Sequence, residues 1–239
     1  MLEGRVDPLT GLRALVGEGR PAADAPHPPA QAPADLFTAF AARGGHEVLE
    51  AATPEDWRTR MRAHPDAACL HLAADDSGRA ELYALDFVPA AIARERERFG
   101  AYAVRTMGQN LLGDLVQEEV RRRDRLVAID DEAVVLAPYA SRSPFQLLLA
   151  PRRPRARFQD EGPTGAALLA DALGRLGRVL GDDARIDLWV RTAPRGADAF
   201  CWRIDVVPRL APAGGLEPGT GLSVCPTAPE AAAAELRAA

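Results

Sequence analysis

Four histidines, His27, His46, His64 and His71, are the only imidazoles in the 239 residues, so any histidine nucleophile, base or metal ligand must come from them. Three cysteines, Cys69, Cys201 and Cys225, are too few and too scattered for a disulfide framework or a zinc site. Two strand-like stretches near the C-terminus carry a denser set of charge. In 185–191, Asp187, Trp189 and Arg191 share one face, and in 200–206 so do Cys201, Arg203 and Asp205. Cys201, on a strand beside two arginines, is either a thiol with a depressed pKa or a structural cysteine. Asp75, Asp76 and Glu81 are either an acid/base set or the acids of an exposed turn. Arg79 follows the glycine of that turn, where a guanidinium and backbone N–H groups could hold phosphate; the plainer alternative is a surface arginine.

The elements that must position these groups follow from the hydrophobic pattern. A short strand at 46–51 precedes a helix starting near Thr53, whose Thr-Pro-Glu sequence offers an N-cap and a proline at the first helical position. Residues 67–73 and 80–85 read as two strands around the turn Asp75-Asp76-Ser77-Gly78. From Pro89 the pattern is helical, first with alternating Arg and Glu, then with Leu111, Leu112, Leu115, Val116 and Val120. Strands are expected at 126–129, 133–137 and 145–150. The clearest helix is 163–180, ended by Gly181. The alternating stretches 185–191 and 200–206 form an expected antiparallel pair, and a turn at 214–221 leads to an Ala-rich helix after Pro229. Residues 1–20 read as an opening strand or arm, 21–34 as a Pro/Ala-rich loop and 35–42 as a short amphipathic segment. The whole is an α+β arrangement of mainly antiparallel sheet and packed helices.

Composition narrows the function classes. The net charge of −5 argues against binding a phosphate backbone, and no run is apolar enough to span a membrane, so a cytoplasmic protein that takes neither nucleic acid nor membrane is expected. The run Arg152-Arg153-Pro154-Arg155-Ala156-Arg157 lacks interleaved aromatics and reads as a solvated loop. All 29 basic residues are arginine and Asn110 is the sole asparagine, a bias of the kind a GC-rich bacterial genome produces.

Several segments, taken in order, resemble the galactose-1-phosphate uridylyltransferases of the histidine-triad superfamily. Asp7-Pro8-Leu9-Thr10-Gly11 followed by Arg20-Pro21 is similar to their opening, and Gly45-His46-Glu47-Val48 to a GxHEV strand. Leu82-Tyr83-Ala84-Leu85 and Phe87-Val88-Pro89 resemble the segment after their HPHxQ motif. Arg125-Leu126-Val127-Ala128 and residues 138–145 resemble the start of a second repeat. Thr192-Ala193-Pro194, Pro208-Arg209-Leu210 and Gly219-Thr220-Gly221 complete the series. The resemblance implies two histidine-triad-like repeats, a truncated first one over 1–98 and a second over 99–239, and pairing into a homodimer.

It also implies what has been replaced. Counting back from Leu82 sets Ser77 and Arg79 at the two histidines of HPHxQ and Glu81 at its glutamine. An arginine stays protonated and has no lone pair for phosphorus, so the family's covalent intermediate is not expected. His71 and Cys201 are the remaining candidates for a substitute nucleophile. The second paired-cysteine motif of metal-binding members would fall at Asn110-Leu111-Leu112-Gly113, and a family histidine at Pro154. The family's other metal site combines a glutamate with three histidines; Glu95 keeps the glutamate, while Arg191, Cys201 and Arg203 stand at the histidines. No metal and no cofactor are expected. Either Arg191 and Arg203 supply the lost positive charge by pairing with Glu95, Asp187 or Asp205, or they form ordinary exposed cross-strand pairs.

The expectation is a uridylyltransferase-like protein without nucleotidyl transfer. It would bind a nucleotide, sugar nucleotide or other phosphorylated metabolite through Ser77, Arg79, Glu81 and Thr220, the last either a sugar contact or part of a plain loop. Two alternatives stay open: a structural or partner-binding homodimer, and an enzyme with different chemistry.

Overall fold

The computed structural model describes residues 3–17, 46–50, 52–75, 78–161, 164–181, 184–210 and 215–239. The expectations for 21–34 and 35–42, and for Ser77 and Asp76, lie outside the described residues.

Eight strands form one continuous antiparallel sheet. In chain order they are β3 (His46–Leu49), β4 (Cys69–Asp75), β5 (Ala80–Leu85), β6 (Leu126–Ile129), β7 (Ala133–Leu136), β8 (Leu147–Pro151), β9 (Ile186–Arg191) and β10 (Arg203–Pro208). Their spatial order is β3-β5-β4-β9-β10-β8-β7-β6. The early hairpin β4–β5 therefore pairs through β4 with the late strand β9. The boundary expected after residue 98 falls inside a helix, Ala90–Arg105, and strand pairing runs across it. A smaller sheet joins β1 (Glu3–Val6), β2 (Arg13–Val16) and β11 (Ser223–Cys225), with β2 and β11 parallel.

The helices are α1 (Pro54–Arg62), α2 (Ala90–Arg105), α3 (Leu111–Arg122), α4 (Ala166–Leu180), α5 (Leu216–Thr220) and α6 (Pro229–Ala238), with a 3-10 turn at Phe158–Asp160. Thr53 caps α1 as its sequence predicts, in a capping box with Asp56 and with Pro54 at the first helical position. Gly181 ends α4 as expected. The stretch expected as a turn at 214–221 contains the short helix α5 instead. None of the described helices is long and apolar enough to cross a membrane.

The two halves of the large sheet are covered differently, and their sequences say why. In β7 and β8 every residue is buried, and neighbouring residues alternate between two cores. Val135, Leu147 and Leu149 join Leu168, Leu169 and Leu176 of α4 and Leu236 of α6 on one side. Val134, Leu136 and Leu148 join Phe99 of α2 and Leu112 and Val116 of α3 on the other. In β5 and β9, and in β4 from Leu70 onward, buried and half-buried residues alternate strictly. Leu70, Leu72, Leu82, Leu188 and Val190 enter the first core. The opposite face of this half carries polar groups.

One expected strand is displaced. The alternation of 200–206 predicts a strand starting at Phe200, yet β10 starts at Arg203. The chain leaves the β9–β10 ladder because residues 193 and 202 bond elsewhere: the Ala193 N–H donates to the Ala156 carbonyl and the Trp202 N–H to that of Arg155. Cys201 consequently packs among Phe200, Leu111 and Leu112 in the second core.

Candidate functional site

The register of five adjacent strands assembles a row that no local pattern contains. His46 on β3 pairs with Tyr83 on β5, Tyr83 with His71 on β4, His71 with Arg191 on β9, and Arg191 with Arg203 on β10. Directly paired residues point to the same side of a sheet, so these five side chains share one face. The next row on that face holds Val48, Glu81, Ala73, Trp189 and Asp205. Arg79, Glu81, His71, Arg191, Arg203 and Asp205, singled out separately from the sequence, thus lie on one surface.

At the β10 end lies a buried charge cluster. Arg203, Asp205 and Glu95 are 3%, 3% and 1% exposed, so the reading as exposed cross-strand pairs is corrected. The Arg203 guanidinium binds Glu95 of α2 directly, and its Nε lies 3.2 Å from Asp205 Oδ1. The Trp189 indole N–H donates to Asp205 Oδ2 at 2.9 Å, and Arg191 Nε lies 3.7 Å from the same oxygen. Burial alone would raise the Asp205 carboxyl, but the Arg203 and Arg191 guanidiniums hold it below the usual carboxylate range. Burial works against Arg203 as well, yet Asp205 and Glu95 keep it firmly protonated. For Arg191 burial wins and its pKa falls: the Asp205 and Glu95 carboxylates oppose the fall, while the neighbouring Arg203 charge adds to it. Asp187, a third candidate partner, binds Arg209 instead.

Arg191 and Arg203 also line a cavity of about 160 Å³ between β10, α2 and the N-terminal turn. Asp7, Arg94, Glu95, Arg142 and Asp205 also line it. The turn is built by Asp7, whose carboxylate accepts from the Leu9 N–H at 2.9 Å and the Thr10 hydroxyl at 2.5 Å. Arg98 of α2 fastens it by donating to the Pro8 carbonyl at 2.9 Å.

At the β5 end, Arg79 Nη2 lies 2.9 Å from Glu81 Oε1, and Arg79 Nε 3.7 Å from Glu50. Glu81 also accepts the Tyr83 hydroxyl and lies 3.6 Å from His46 Nε2. The His46 and Tyr83 rings stack with centroids 4.7 Å apart. His71 sits between Tyr83 and Arg191; burial, with the Arg191 charge beside it, brings its pKa down to about 4. Its imidazole is therefore neutral near pH 7.

Two expected site residues lie apart from this face. Thr220 is exposed in α5, its hydroxyl donating to the Leu216 carbonyl at 2.6 Å. Cys201 is fully buried and its thiol is pushed up to about 12, chiefly by that burial, so it is no activated nucleophile. The sequence reading set Trp189 on the charged face without giving it a role, and missed Tyr83 and Arg142 as site residues. Tyr83 and Trp189 stand at alternating strand positions on the polar side, a pattern that could have identified them.

The positions matched to the second paired-cysteine motif and to the family histidine meet in space. The Asn110 side chain accepts from the Gly113 N–H at 3.0 Å, capping α3, and donates to the Ala199 carbonyl at 2.9 Å. Gly113 lies directly under Pro154. Among the described residues, no group of three or more His, Cys, Asp or Glu side chains is arranged to hold a metal ion.

No protein-family model matches the chain. Over 101 residues, 40% of its length, it is 33% identical to galactose-1-phosphate uridylyltransferases from two strains of Cryptococcus neoformans var. neoformans serotype D. The match spans only 26% of those relatives' length. Among solved structures, a GalT-like protein from Arabidopsis thaliana superposes with a TM-score of 0.78 at 18% identity, covering 99% of this chain and 98% of the other. An ADP-glucose phosphorylase from Arabidopsis thaliana with bound ADP-glucose gives 0.78 at 18% identity, covering 100% and 99%. A uridylyltransferase mutant gives 0.74 at 19%, covering 100% and 97%. The chain is thus a partial sequence relative of galactose-1-phosphate uridylyltransferases and has, over its whole length, the fold of GalT-like proteins.

Proposed function

We propose that this chain binds a nucleotide, sugar nucleotide or other phosphorylated metabolite on the polar sheet face, without the nucleotidyl transfer of the enzymes it resembles. The observation that carries the reading is the pair formed by Arg79 and Glu81, at the positions matched to the nucleophilic histidine and the glutamine of HPHxQ. A guanidinium held by a carboxylate offers phosphorus no lone pair, but it remains a cation beside which a phosphate can rest. The same face supplies Arg191 and the aromatic surfaces of Tyr83 and Trp189, groups suited to a phosphate and to a base or sugar. Likeness in fold to a protein with bound ADP-glucose supports the ligand class. The buried Glu95–Arg203–Asp205 cluster takes the place of the family's glutamate–histidine metal site: a guanidinium bridges the carboxylates a cation would otherwise hold.

A thermal-shift screen against nucleotides, sugar nucleotides and sugar phosphates, with mass spectrometry of each responding mixture, tests this. A ligand at a hundredfold excess over its Kd stabilises the protein by about 2.7 kcal/mol. Arg79→Ala is expected to weaken the response. A nucleotidylated protein or consumed ligand would overturn the loss of transfer, and His71, neutral and half-buried on the same face, is then the first residue to mutate. Silence across the panel would favour the partner-binding homodimer, which light scattering would reveal.

A further inference from the structure

A second polar cavity lies away from the β4–β5 turn, where β4 begins. It measures about 240 Å³ and is enclosed by the C-terminal end of α1, the 3-10 turn and the loop after β9. Cys69 at this end of β4 lies six positions from Asp75 at the Arg79 end, about 20 Å along an extended strand.

Its charge is one-sided. Among the described residues, three guanidiniums line it, those of Arg62, Arg157 and Arg195, against the single carboxylate of Asp160. Two of the three are fixed by neutral partners. Arg62 Nε donates to the Gln159 carbonyl at 2.7 Å, and Arg195 donates to the Asp66 carbonyl. A backbone carbonyl satisfies an N–H and orients the guanidinium but leaves its charge in place. The nearest carboxylate to Arg62, on Glu55, stands 3.9 Å away and is more than half exposed, so it offsets little. Arg157, half-buried, makes no hydrogen bond or ion pair among the described residues. Its neighbours in the arginine-rich run are committed elsewhere: Arg152 donates to the Asp130 carbonyl, and Arg155 lies 3.2 Å from Glu161. His64 stands at the rim with its Nε2 engaged by Glu47 at 2.9 Å.

We propose that this cavity is an anion site for a small phosphate-type oxyanion, held by Arg157 and Arg195 with Arg62 as the fixed third cation. Guanidiniums match the spacing of phosphate oxygens, and two oriented by the backbone lose little freedom on binding. The volume suits inorganic phosphate, pyrophosphate or the phosphate end of a small metabolite, not a whole dinucleotide. The arginine run read from sequence as a solvated loop thereby acquires one member with a binding role. The proposal stands apart from the reading of the polar face, which uses different residues.

Calorimetric titration of the full chain with inorganic phosphate and with pyrophosphate tests it. Saturable binding of at least one probe is expected, weakened tenfold or more in the double variant Arg157→Gln/Arg195→Gln. Arg121→Gln/Arg122→Gln, on the exposed side of α3, is expected to bind like the wild type, while Arg79→Gln reads separately any binding on the polar face. If neither probe binds saturably at millimolar concentration, or the Arg157/Arg195 double variant binds as well as the wild type, the proposal is wrong. Loss of binding only in Arg79→Gln would assign the anion to the other face and equally overturn it.

Discussion

A Cβ built on Gly113 would stand 2.5 Å from Cγ of Pro154, closer than side chains approach in folded proteins. The glycine is thus required by tertiary contact: it lets the first turn of α3 lie against the segment after β8. Gly113→Ala is expected to destabilise the protein by about 1–3 kcal/mol through overpacking, despite alanine's better helix propensity. Gly177→Ala in α4, where nothing lies within 4 Å, should stabilise by about 0.5–1 kcal/mol. Urea midpoints for the two variants decide it, and equal signs would refute the packing argument.

The charge cluster makes a second prediction. Removing Glu95 leaves the Arg203 cation buried with only Asp205 for compensation, so Glu95→Ala should cost about 3–5 kcal/mol. The double variant Glu95→Leu/Arg203→Met removes both partners and should recover much of that loss. A loss below about 1 kcal/mol in Glu95→Ala would show that the pair is solvated in solution.

His71 imposes a pH dependence. Its folded pKa, about 4, lies below the ordinary 6.5, so the unfolded chain binds the proton more readily across that interval. Its contribution is therefore complete above about pH 6.5 and lost as pH falls toward 4. His71→Gln should lose less stability over this window than the wild type, by about 1–3 kcal/mol. Parallel stability curves from pH 7 to pH 4.5 would contradict this. Asp205, held below its ordinary range, adds its own loss only at more acid pH.

The three thiols should be slow to react. Cys69 and Cys225 are pushed up to about 11 and Cys201 to about 12, mainly by burial. Native protein at pH 8 is expected to be alkylated far more slowly than protein in denaturant, where all three react. Rapid native modification of Cys201, followed by mass spectrometry of its peptide, would reopen the case for a reactive thiol.

Local pattern determined a good deal. Alternation marked β9, and the turn signal at 75–78 marked β4 and β5 on either side of it. The Thr53 cap and the Gly181 terminus were legible because each depends on neighbours a few residues away. Counting back from Leu82 gave the expectation of a guanidinium, Arg79, at the position matched to the family's nucleophile. Tertiary structure decided the rest. Residues 46, 83, 71, 191 and 203 come together only through the pairing of β4 with β9, a contact between segments more than a hundred residues apart. No periodicity in the chain encodes that register. Burial of Arg203 and Asp205 likewise depends on α2 bringing Glu95 over the sheet. The fate of Cys201 turned on where β10 begins, which the hydrogen bonds to residues 155 and 156 set. Side-chain chemistry was readable from the residues themselves, whereas environment, which decides whether a thiol is reactive or a guanidinium available, is a property of the packed fold.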